Sequence, residues 1–142
     1  MSNIGAETSV IEEFIADVCA SSAAITGEVG TRIYSELAPA SAVYPFIVYQ
    51  IQSSTDTYVV GPNRLLVDAE ILVRGISAVS SYAPLKPLAV AIDSAFDGAT
   101  GTVDGAEVSV IRRLRPFSML EEYEHGQIRH LGGLYRVWAQ GA

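Results

Sequence analysis

The stretch that most restricts the fold is Arg64 to Ile76. Leu65, Val67, Ala69, Ile71 and Val73 fall on one face of an extended chain, and Leu66, Asp68, Glu70, Leu72 and Arg74 on the other. Successive side chains of a strand point to opposite faces, so a strand keeps these two sets apart and a helix mixes them. The first set needs a core. The second is half charged and needs water or a polar partner; Leu66 and Leu72 are the two members whose burial the pattern leaves open. A sheet with one apolar face needs neighbouring strands and a covering layer.

The neighbours are legible. Phe46 to about Ser53 is β-rich, with Ile47, Tyr49 and Ile51 on one face and Phe46, Val48, Gln50 and Gln52 on the other. Pro45 at the first strand position costs no ladder hydrogen bond, and Tyr44 before it is pushed toward extended geometry. Ser53 to Asn63 is turn-rich at both ends around an apolar centre, which predicts an antiparallel pair with an extended tip. Thr31 to Tyr34 is a short β-prone run, and Leu37 to Tyr44 a loop that is itself a candidate subunit contact.

Ile11, Phe14, Ile15 and Val18 recur at helical spacing, with Thr8 or Ser9 as cap and Gly27 and Gly30 ending the unit. A second helix is expected within Ser77 to Asp97. Pro84 is tolerable in its first turn, and Leu85, Leu88, Ile92, Ala95 and Phe96 form its buried stripe before Gly98. Two strands follow, Thr102 to about Leu114 with a turn at Asp104-Gly105, and Ile128 to about Ala139 with Gly132-Gly133 as a bulge or close-contact point. Between them Met119 to Gln127 reads as a loop. The expected fold is α+β in the order α-β-β-β-α-β-β, two helices on one face of an antiparallel sheet. One domain is expected over residues 1–142, with 1–7 and 140–142 as loose ends.

The chain is 49% hydrophobic and 18% charged, which suits a sheet covered on both faces or a large subunit interface. No run approaches the roughly 18 apolar residues of a membrane span, so no membrane partner is expected. The N-terminus has no basic region ahead of an apolar core, and no signal peptide is expected. With a net charge of −7 and only 9 Lys and Arg, tight nucleic-acid binding is disfavoured. Cys19 is the only cysteine, so an intramolecular disulfide and a cysteine-cluster metal site are excluded; it reads as a buried thiol made in a reducing, intracellular place.

Candidate chemistry is sparse. His125 and His130 are spaced to lie on opposite faces of a strand and read as solvated loop residues. A nucleophile elbow, a zinc-protease helix and a phosphate-binding glycine loop are all missing. Glu121, Glu122 and Glu124 read as a solvated acidic tip. Arg113 and Arg115 are expected on one face of their strand with Arg112 opposite, available to an acidic neighbour or to cross-strand pairing. Trp138 shares a face with Leu134 and Arg136 and suits core packing or an interface anchor. No catalytic residue, metal or cofactor is expected.

Several motifs converge on one family. Arg32-Ile33-Tyr34, the Ala38-Pro39 step and Tyr44-Pro45-Phe46-Ile47-Val48-Tyr49 are followed by the helix Tyr82 to Phe96, then a basic strand and a final hairpin. Over roughly residues 8–139 this resembles the small tail-completion proteins of long-tailed bacteriophages, which include tail terminators and tail-to-head joining proteins. The resemblance implies a homo-oligomeric ring of typically six subunits in the virion, at the tail–neck junction. Its partners would be the tail tube protein and a neck or head-completion protein, with DNA passing through the lumen. It implies no catalytic residue. Two other readings are a neck adaptor or minor tail protein of related fold, and a small ligand-binding domain or enzyme using the Glu121–His125 segment.

Local chemistry then assigns candidate surfaces. Tyr58, Val59, Val60, Gly61, Pro62 and Asn63 form an apolar tip with no evident core, expected to dock on a neighbouring subunit or the tail tube, and Arg64 beside it is a further interface candidate. Arg112, Arg113, Arg115 and Trp138 are further interface candidates, and Glu121, Glu122 and Glu124 are candidates for the lumen or a ring face. Val59→Asp is expected to leave the monomer folded and abolish assembly. Unchanged sedimentation of the assembled species would refute that.

Overall fold

The computed structural model describes residues 7–58 and 64–140. The elements are α1 (Glu7–Ser21), α2 (Ala23–Val29), β1 (Ile33–Ser35), β2 (Phe46–Tyr58), β3 (Arg64–Ser77), a 3-10 turn (Ala83–Leu85), α3 (Lys86–Phe96), β4 (Thr100–Val103), β5 (Ala106–Tyr123) and β6 (Gly126–Gln140). The α+β class is as expected, but the described residues hold three α-helices and six strands. Glu7 opens α1 and Gln140 closes β6.

The expected first helix is two. Ser22 breaks it, because its Oγ accepts the Ile25 N–H at 3.2 Å and starts α2. Thr8 and Ser9, expected as caps, lie inside α1. Gly30 closes α2 at φ 59°, a conformation that glycine reaches without a Cβ clash. Pro84 and Pro87 fall in the first turns of the 3-10 helix and α3, where no helical N–H is lost.

The sheet order is β1-β2-β3-β6-β5-β4; β1 runs parallel to β2, and the other neighbours are antiparallel. All three helices contribute to one core, on one sheet face. Ile11, Phe14, Ile15, Ile25, Leu88, Ile92 and Phe96 meet Ile47, Ile71, Val73, Val108, Tyr135 and Val137 there. Each such side chain contributes roughly 1.5–3 kcal/mol by leaving water. The β3 alternation is as read: Val67, Ala69, Ile71 and Val73 are core, while Asp68, Glu70 and Arg74 face away. Cys19 is buried in this core, which pushes its thiol up to about 12.

Both flanks of the sheet are only partly covered. β1 pairs with β2 at Ile47 to Tyr49, and β4 with β5 at Ala106 to Ser109. Beyond these, Gln50 to Tyr58 of β2 and Ile111 to Tyr123 of β5 have no outer partner among the described residues. Gly132 and Gly133 are close-contact points rather than bulges. Where β5 pairs with β6 the register shifts fall between Val110 and Arg112 and between Arg113 and Arg115, and where β2 pairs with β3 they fall between Ile51 and Ser53 and between Thr57 and Tyr58.

Candidate interaction surface

The helix-free face carries the distinctive polar groups, and strand register decides which. Its margin is a small second core of Phe46, Val48 and Ile76, closed by Tyr34, Ala38, Ala42 and Ile128. The segment from Glu36 to Pro45 folds over it as an arm; Tyr44 stacks on Phe46 at 5.3 Å, and the Tyr44-Pro45 bond is cis. A cavity of about 300 Å³ lies beneath the arm, with Arg74, Glu121 and His130 in its lining.

The sequence reading of His130 is corrected here. It is 4% exposed, because the arm covers it, and its Nε2 lies 2.5 Å from Glu121 Oε1. Neither ring nitrogen has a hydrogen bond of good geometry among the described residues, and the contact becomes an ion pair only when the ring is protonated. Burial lowers its pKa from the ordinary 6.5, and Arg74 lowers it further against the opposing pull of Glu121. The pH consequence follows from the sign. An unfolded chain binds this proton at a higher pH than the folded one, so the stability present above about pH 6.5 is lost as pH falls toward the folded value. Urea midpoints are expected to drop between about pH 7.5 and about pH 5.5, and His130→Leu to flatten the drop. A wild-type midpoint constant over that range would refute the assignment.

Farther along the face, Arg74 lies over the Phe117 ring at 5.8 Å and donates to Gln50 at 3.4 Å. Leu72 is buried here, beside Leu134, Phe117 and Arg115, so this face hides an apolar residue without a helix. Arg136 Nε donates to both Asp68 oxygens at 3.0 and 3.1 Å, and its Nη2 to Oδ2. Those hydrogen bonds hold the Asp68 carboxyl below its ordinary range. Trp138 beside them is 39% exposed and stacks with Arg136, so it is a surface residue rather than core.

The three arginines do not group as expected. Arg112 stands opposite Arg136 and Arg115 opposite Leu134, both on the helix-free face, whereas Arg113 stands opposite Tyr135 on the helix side. There Arg113 Nη1 lies 3.8 Å from Asp93 Oδ1, which also accepts the Tyr135 hydroxyl at 2.9 Å. The two bulges on β5 cause the split, and hydrophobic alternation does not reveal them. The acidic segment is corrected too. Glu121 and Glu122 lie on β5, and only Glu124 and His125 form the turn, because cross-strand pairing carries the ladder to Tyr123–Gly126. All three glutamates are exposed. Val59, Val60, Pro62 and Asn63 lie outside the described residues; Tyr58 and Arg64 are the paired ends of β2 and β3.

The Leu37 to Tyr44 loop, expected from the sequence as a candidate subunit contact, is part of the arm and leaves Leu37 84% and Val43 63% exposed. Their position in a proline-bounded loop was the available signal. Among the described residues no three His, Cys, Asp or Glu side chains gather as a metal set, and no helix is long and apolar enough to cross a membrane.

No family model matches the chain, and no curated protein does. Solved structures do match. A chain from the virion of a native gene transfer agent particle superposes with a TM-score of 0.69 at 16% identity, over 96% of this chain and 98% of that one. A second chain, whose name describes no function, gives 0.59 at 11% identity over 93% and 92%. At these identities the likeness is one of fold: this chain has, nearly end to end, the fold of a gene transfer agent virion chain.

Proposed function

We propose that the chain is a structural virion protein that closes the tail tube as a ring and joins it to the head or neck, DNA passing through the lumen. The observation that carries this reading is the likeness to a virion chain over almost the full length of both partners. The apolar composition and the exposed Leu37, Val43 and Trp138 fit a subunit with neighbours on its flanks. Exposed Glu121, Glu122 and Glu124 suit a wall past which DNA slides, since like charge keeps phosphate from sticking.

Electron microscopy of particles produced without this chain tests the reading. Separate filled heads and unjoined tails of irregular length are the expected result. Normally joined particles would overturn it, as would a labelled chain found at the distal tail tip. The acidic wall is tested apart, by Glu121→Lys with Glu122→Lys. Rings that still form but retain DNA at low salt are expected; DNA retention equal to wild type would sink that part alone.

A further inference from the structure

We propose that copies of this chain join by continuing one sheet, the open edge of β5 in one copy pairing antiparallel with the open edge of β2 in the next. The proposal rests on the ring reading above and adds which strands meet.

Three observations carry it. The first is direction. β2, β3, β6 and β5 are each antiparallel to the next, so β5 runs opposite to β2. A neighbour related by rotation about a ring axis keeps its orientation, so its β2 meets β5 antiparallel, in the more favourable kind of ladder.

The second is position. The open edges lie at opposite ends of the sheet. Phe117 of β5 is level with Arg74 of β3, through Gly132, and Thr55, next to the middle of the open β2 segment, is level with Asp68. Bringing Phe117 against Thr55 of the next copy therefore needs a shift from Arg74 to Asp68, about 20 Å along the strands. The four strand spacings from one β2 to the next span about 19 Å. The two together set a strand tilt of about 45°, the value at which sheets close into barrels. The same register keeps the faces matched. Thr55 shares its face with Asp68, and Phe117 packs with Arg74, so both belong to the helix-free side. It also brings Glu122 level with the next copy's Tyr49, where that copy's own β1 takes over.

The third is chemistry. Ser118 comes opposite Ser54, and both are exposed. Pro116 comes opposite Asp56. Proline on an open edge withholds one ladder hydrogen bond and so discourages indiscriminate pairing. Proline in a strand turns its nitrogen to the outer side, and Ser118, two residues on, turns its N–H the same way.

The test uses the full chain carrying Ser54→Cys and Ser118→Cys together. Cys19 is buried and stays out of exchange. Oxidation is expected to give a covalent ladder up to the complete ring on a non-reducing gel, and each single variant none. A single variant that cross-links to itself would show like edges meeting and overturn the proposal. Ser118→Pro is expected to lose the multimer in native mass spectrometry while keeping its circular dichroism and urea midpoint. A multimer that survives Ser118→Pro, with no ladder from the double variant, overturns edge pairing and leaves the ring reading standing. A chain that stays monomeric at every concentration, alone and with tail tubes, overturns both.

Discussion

Gly132→Ala is expected to cost on the order of 3 kcal/mol or more, at the upper end of what overpacking does. A Cβ at Gly132 would strike the Val73 carbonyl oxygen and the Arg74 Cα, both backbone atoms of the neighbouring central strand. Backbone in the middle of a sheet cannot swing aside as a side chain does, so β3 and β6 would have to separate. Gly133→Ala serves as the control. Its Cβ would meet the Tyr135 ring at 3.0 Å and Arg113 Cδ at 3.1 Å, and the flexible arginine can give way. Urea denaturation decides the matter. If Gly132→Ala shifted stability by less than about 0.5 kcal/mol, the usual range for an inconsequential surface change, the account of this contact would be wrong.

The second large effect is expected in assembly rather than in stability. Leu37→Asp with Val43→Asp changes two side chains that touch little of their own subunit, so the monomer should keep its denaturation midpoint. In the assembled particle the same residues are expected to be desolvated. Burying two unpaired carboxylates costs several kcal/mol, enough to lower the fraction of joined particles by orders of magnitude. Wild-type joining by the double variant would show that the arm faces solvent in the virion.

These predictions separate what the sequence shows from what it hides. The alternation of β3 and the stripes of α1 and α3 are legible because one buried face imposes one period on neighbouring residues. The burial of Leu72 and His130 is not legible, because what covers them comes from far along the chain: Phe117 for the one, the arm for the other. Glu121 and Glu122 read as loop by composition, yet pairing with β6 overrides their low strand preference. The candidate surface was half visible. Its residue types were evident, but the faces of Arg113 and Arg115 depend on unpaired positions that leave no periodic trace.

Those unpaired positions, Ile111 and Leu114, act on the strand as two changes of parity that cancel. Each one inverts which residues look toward the helices. Only Arg112 and Arg113 lie between them, so from Arg115 onward the strand resumes the phase it had at Val110. Deleting either one removes an extra residue and no pair, so the strand straightens there while Phe117 stays opposite Gly132 and Glu121 opposite Ile128, on their present faces. A lineage carrying this domain can then shed these residues singly and keep the face that Arg74 and His130 share.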